Sequence, residues 1–222
     1  MTGLFLLPSF GAFFAAEGVR QRLSDQEIAD YVHTGNYNTD LVRELTLARD
    51  YLELRVNLND RQKNHKKLAL VAAVDNTALA DEPRLKKLFV HIPQPGADLW
   101  QSDEPVIWAF KAFYDYALSK GVDVFFVTSR PESEREKTAH NLVREGYGGF
   151  KELQMRPIPS RRSIVEEKVA ERAEIEKEGY SIILNIGSKL GDVQGKHSSK
   201  VVLLPKPDIH RFPSREGLNT LG

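Results

Sequence analysis

The sequence predicts an α/β fold, a Rossmann-like, mostly parallel sheet with helices on both faces. Three observations predict it. A continuously apolar run at 68–74 and mostly apolar runs at 122–127, 181–186 and 200–204 recur along the chain, and such runs mark strands buried on both faces. Segments with helical periodicity separate them, and strands alternating with helices favour parallel pairing. The chain has 222 residues and no Cys, which is long enough to bury such a core without disulfide or metal staples.

Taken in order, the first stretch, 4–16, is apolar except for Ser9 and includes Gly11. It reads as the apolar part of a signal or as a packing segment, spanning 1–23. A small-residue cut site at Ala16-Glu17-Gly18 favours the signal; Pro8 and the lack of a preceding Lys or Arg count against it. The run is too short to cross a bilayer as a helix. Location therefore divides between export, to a periplasm or the outside, and the cytoplasm. Ser24 with Glu27 forms a capping box for a short helix to about Gly35. Asn38 or Thr39 starts a longer helix to about Val56, with Leu41, Leu45, Ala48 and Leu52 on one stripe. Together with the polar connector 59–67, these helices make 24–66 a helical N-terminal arm.

The core follows over 67–210. Val106, Phe110, Phe113 and Ala117 keep helical spacing before Gly121, and Pro131 is placed in the first turn of a helix ending at Gly146. A weaker strand is expected at 153–155. A charged helix over 164–178 is closed by Gly179. Between the first strand and the helix before Gly121 lies a small cap insert at about 80–104. Pro, Gly and charge mark the end of the chain, and 211–222 is read as a C-terminal tail.

Composition excludes several functions. Lys plus Arg number 31 and Asp plus Glu 31, without the basic excess of a nucleic-acid binder. The absence of Cys removes a disulfide scaffold, a Cys-ligated zinc and a thiol nucleophile. None of the six His pairs with another at metal-ligand spacing. The nucleophile elbow Gly-x-Ser-x-Gly, the P-loop and the dinucleotide fingerprint are all missing. No nucleic acid and no membrane span are expected, and oligomeric state is unspecified.

In open α/β sheets, ligands sit beyond the carboxyl ends of the strands. Those positions hold Asp75, Asn76 and Thr77 after the first strand, Thr128, Ser129 and Arg130 after the second, and Gly187, Ser188, Lys189 and Asp192 after the third; Lys168 lies in the preceding helix. Singly, each is an ordinary cap, turn or solvated residue. Converging on one sheet edge, hydroxyls, a Lys and helix N-termini make a natural seat for phosphate.

Four ordered motifs carry a resemblance. They are Ala73-Val74-Asp75-Asn76-Thr77-Ala78-Leu79, the strand ending Thr128-Ser129-Arg130, Lys168 with Arg172 and Glu178-Gly179-Tyr180, and Asn185-Ile186-Gly187-Ser188-Lys189-Leu190-Gly191-Asp192. The chain resembles the haloacid dehalogenase (HAD) superfamily, specifically the class B and class C acid phosphatases and the plant vegetative storage proteins. The resemblance implies an aspartyl-phosphate chemistry in which one Asp attacks phosphorus and a second serves as acid and base. It also implies Mg2+ held by carboxylates of the first and fourth motifs, and phosphoryl oxygens held by a Thr and a Lys.

Here the nucleophile position is Ala73 and the first metal position of the fourth motif is Ser188. Asp75 keeps the acid/base position, Thr128, Ser129 and Lys168 the phosphate positions, and Asp192 a metal position. A methyl group cannot attack phosphorus, and Ser is a weak ligand for a hard dication. The expectation is an acid-phosphatase-like protein, impaired in hydrolysis, that keeps a pocket for phosphate or a small phosphomonoester, with Mg2+ binding weakened. Lys189 is placed to supply charge near the vacated metal position. Two alternatives stand beside this one: a phosphomonoesterase in which Asp75 activates water directly, and a structural or partner-binding pseudoenzyme. Trp100 and Trp108 fall where the resemblance places a substrate-covering insert. Trp100 would stack on a substrate ring or serve as a core or lid residue.

Overall fold

The computed structural model describes residues 34–81 and 104–206, together with Asp30. Trp100, the short helix expected after Ser24, most of the cap insert, and the segments 1–23 and 211–222 lie outside the described residues. Five strands form one sheet: β1 (Lys67–Ala72), β2 (Asp123–Pro131), β3 (Glu152–Arg156), β4 (Tyr180–Gly187) and β5 (Lys200–Leu203). Their spatial order is β3-β2-β1-β4-β5, and every pair is parallel. The chain winds outward from β1 through β2 to β3, then returns to the other side of β1 with β4. The point where the winding reverses, between β1 and β4, is where ligands bind in such sheets.

Among the described residues, the helices that accompany the sheet are α1 (Asn36–Asp60), α2 (Trp108–Ser119), α3 (Arg135–Arg144), α4 (Ile164–Lys177) and the single turn α5 (Leu190–Val193). The pleat divides the core. Leu68, Leu70, Ala72, Val124 and Phe126 join the α1 stripe Tyr37, Leu41, Leu45, Ala48 and Leu52, with Phe110, Tyr114 and Ala117 of α2. On the other face Ala69, Val71, Phe125, Val127 and Ile182 pack with Ile175 of α4. Alternate residues of each strand thus feed opposite layers, as period-two geometry requires. The register slips at Ala69/Leu70. Ile183 is the extra residue of β4, so Ile183 and Leu184 both reach the α1 side.

Several boundaries differ from expectation. α1 runs through Asp60, past Val56, and begins at Asn36 behind Gly35, whose φ of 80° suits only a residue without Cβ. Pro131 is not in a helix. It is the last residue of β2 and precedes a 3-10 turn (Glu132–Glu134) before α3 opens at Arg135. A ring-fixed φ of −67° serves an extended residue equally well. Val106 lies ahead of α2, bridged to Leu79. The charged helix starts as expected at Ile164, where Ser163 and Glu166 form a complete capping box.

Candidate functional site

The loop after β1 is held from several sides. The Ala73 amide still donates to the Ile186 carbonyl of β4 at 2.9 Å, and the Val74 carbonyl then accepts from the amides of Thr77, Ala78 and Leu79. Asn76 takes a φ of 52°, a left-handed conformation that Asn tolerates better than most residues. Its side-chain oxygen accepts from the Asp81 amide at 3.0 Å. The Ala78 carbonyl accepts from both the Ile107 amide and the Tyr147 hydroxyl, at 2.9 Å each. This tight turn presents Asp75 at the carboxyl edge of the sheet, with its side chain still 16% exposed.

Arg130, at the end of β2, reaches across to that carboxylate. Its Nε and Nη2 donate to Asp75 Oδ1 at 2.8 and 2.5 Å. Nη2 also donates to Glu104 Oε2 at 2.8 Å, and Nη1 to the Thr138 hydroxyl at 3.3 Å. Burial works against the guanidinium charge, but the hydrogen bonds and charges of Asp75 and Glu104 outweigh it and raise the pKa of Arg130. Glu104 is held in turn by Asn141 Nδ2 at 3.1 Å. The Thr128 hydroxyl accepts from the Arg130 amide at 3.2 Å and lies 3.5 Å from Asp75 Oδ2.

A second ion pair lies beside the first. Lys168 Nζ, from the second turn of α4, donates to Asp192 Oδ1 at 2.6 Å and to the Val127 carbonyl at 3.2 Å. Both side chains are buried, 4% and 8% exposed. The other Asp192 oxygen accepts from the Lys189 amide at 2.9 Å, which caps α5. Asn185 donates to the Asp192 and Val193 carbonyls, and buried Arg172 to those of Asp192, Gln194 and Lys196. Among the described residues no carboxylate offsets that guanidinium, and desolvation lowers its pKa. Gly187 is required at this junction, because a Cβ there would lie 2.3 Å from Asp192 Cβ.

The residues expected at one edge are therefore together. Asp75 meets Thr128 and Arg130, Lys168 meets Asp192, and the Ser188 hydroxyl donates to the Asp75 carbonyl at 3.1 Å, tying the first motif to the fourth. Ala73 is buried at the start of the turn and Ser129 is half-buried on β2. Lys189 is exposed, and its backbone amide makes the contact with Asp192. Trp108 packs half-buried against the core at the head of α2. Sequence reasoning missed Glu104, Thr138 and Asn141, which surround Arg130. No periodicity marks them. The available signal was indirect: an Arg ending a buried strand needs carboxylate partners.

The magnesium that the resemblance implies does not fit these donors. Where the resemblance implies carboxylates, the chain carries the methyl of Ala73 and the hydroxyl of Ser188. Both oxygens of Asp192 are engaged, one by Lys168 and one by the Lys189 amide. Mg2+ needs near-octahedral anionic oxygen ligation. Among the described residues, no group of three or more His, Cys, Asp or Glu side chains is placed to hold a metal. The ion pairs of this edge set Arg130 against Asp75 and Glu104, and Lys168 against Asp192; buried Arg172 adds a third cation, bound to backbone carbonyls.

The family model of the HAD superfamily, subfamily IIIB (Acid phosphatase), matches residues 14–209. The chain belongs to this family. Among relatives of the subfamily IIIB chain, the stem 28 kDa glycoprotein of Glycine max is 26% identical over 80% of this chain and 71% of its own length. A stem 31 kDa glycoprotein of Glycine max is also 26% identical, with 62% of its length covered. Vegetative storage protein 1 of Arabidopsis thaliana is 30% identical over 46% of this chain and 37% of its own length. The class C acid phosphatase from Bacillus anthracis superimposes with a TM-score of 0.56 over 82% of this chain and 83% of that one, at 18% identity. That likeness supports the fold.

Proposed function

We propose that this subfamily IIIB chain is a non-hydrolysing member of its family, a phosphatase fold whose pocket holds phosphate or a small phosphomonoester weakly and does not turn it over. The observation that carries the reading is the methyl group of Ala73 at the end of β1, where the covalent route needs a carboxylate. Losing a covalent nucleophile costs on the order of 10⁴–10⁶ in rate. The ion pairs support the second half of the reading. A phosphate dianion entering near Thr128, Ser129 and Lys168 meets cations already paired with Asp75, Glu104 and Asp192, which weakens the attraction each can offer it. A storage or interaction role fits such a site, and the plant relatives named above are consistent with it.

The test is hydrolysis of a chromogenic phosphomonoester, with and without Mg2+, beside the double variant Ala73→Asp, Ser188→Asp. The native chain is expected to show no turnover above background, and the double variant to gain Mg2+-dependent activity. Strong native turnover would overturn the proposal. One observation favours a second reading, in which Asp75 activates water directly. Among the described residues, Asp75 Oδ2 has only the long 3.5 Å contact with Thr128, while Oδ1 sits in the Arg130 fork. Native turnover abolished by Asp75→Asn would establish that route instead.

A further inference from the structure

We propose that α1 carries an interface for a second copy of this chain, formed by antiparallel pairing of its outer flank. The core stripe of α1 leaves a second apolar row on the same helix: Leu47, Tyr51, Leu54 and Leu58. The spacing is four, three, four, the period of a helix-pairing seam. Leu47, Leu54 and Leu58 are 52%, 53% and 44% exposed. Tyr51 lies half-buried on the β5 side of the row, under Lys200 Nζ at 4.8 Å, and its hydroxyl accepts from Arg55 Nη1 at 2.8 Å. The row therefore looks outward past the β5 edge of the sheet.

Charge selects the occupant and its direction. Asp40 and Glu44 lie on the row's N-terminal extension, with Arg43 between them pairing to both at 2.8 and 3.4 Å. Arg61 lies on its C-terminal extension, followed by exposed Lys63 and Lys66. A two-fold axis between Leu52 and Glu53 sets Tyr51 of one copy against Leu54 of the other, Leu47 against Leu58, and Glu44 against Arg61. Four apolar layers are then closed at each end by opposite charges. A parallel pairing would set Glu44 on Glu44 and the basic ends together. A two-fold contact repeats each favourable pair, so one surface complements itself.

Sedimentation of the full chain at micromolar concentration should show a dimer. Leu54→Glu should weaken dimerisation by about a hundredfold or more, because the dimer buries that side chain twice, with the helical circular dichroism unchanged. The chain has no Cys, so register can be read by cross-linking. An oxidised mixture of the Leu47→Cys and Leu58→Cys proteins should form a disulfide-linked dimer. Each protein alone should not, because its own pair of thiols would be separated by about 16 Å along the axis, at 1.5 Å per residue. A monomeric native chain, a Leu54→Glu dimer of native strength, or equal cross-linking of either protein alone would overturn the proposal. A monomer would also direct attention to the chain's own apolar run at 4–16 as the ligand of that row.

Discussion

Lys168 and Asp192 show how much a single buried residue depends on its partner. Each charge has been taken out of water, and the 2.6 Å contact offsets that cost only while both are present. Lys168→Met should therefore destabilise the fold by about 3–5 kcal/mol, because it leaves the Asp192 carboxylate buried and unpaired. Adding Asp192→Asn should recover much of the loss, since Asn removes the charge and can still accept from the Lys189 amide. Urea unfolding of the two single variants and the double checks this: strictly additive losses would contradict a coupled pair. The sequence placed both residues at the sheet edge, but not against one another. They are 24 positions apart, and only the crossing of α4 over the end of β4 brings them into contact.

The junctions of whole elements are governed by close approach rather than by propensity. Gly187 has no left-handed φ to explain it; it is needed because α5 folds back onto the end of β4. Gly187→Ala would put a methyl 2.3 Å from Asp192 Cβ, so α5 must shift. We expect a loss of about 1–3 kcal/mol and a weaker Lys168 contact, read by denaturant midpoint. The element boundaries divide on the same lines. The strands over 68–74 and 122–127 were legible because burial on both faces writes a run that is apolar throughout in the first and broken only by Asp123 in the second. The start of α3 was not, because Pro131 suits both a first helical turn and the end of a strand, and only the ladder to Arg156 of β3 decides between them. Likewise α1 outlasts its visible stripe to Asp60, a boundary that Asn57, Asn59 and Asp60 leave open.

Across the whole molecule, one dependence on pH follows from the aromatic layer between α2, β2 and the turn after α3. Burial, with the charge of Asp115, pushes the Tyr114 hydroxyl up to about 12. Burial first, and then Asp115, Glu145 and Tyr114, push Tyr147 well above its ordinary value. A pKa raised on folding gives stability that is complete below the unfolded value, near 10, and is lost as pH rises through the folded value. The native chain should lose stability between about pH 10 and 12, and the Tyr114→Phe, Tyr147→Phe double variant should lose less across that window. Thermal melts at stepped pH read the difference; parallel curves would exclude these two hydroxyls as its source. The amino-acid sequence by itself determined the parallel α/β architecture, the sheet edge that gathers the candidate site, and the methyl of Ala73 and hydroxyl of Ser188 where the resemblance implies carboxylates. All of these are written in local pattern: apolar runs, helical period and residue identity at motif spacings. Tertiary structure alone decided the pairing of charges. Arg130 lies between Asp75 and Glu104, Lys168 on Asp192, and a second apolar row of α1 remains outside the core. Those facts depend on which distant groups meet in a medium of low dielectric, where a buried charge needs an opposite charge or carbonyl oxygens about it, and no local pattern in the chain records the meeting.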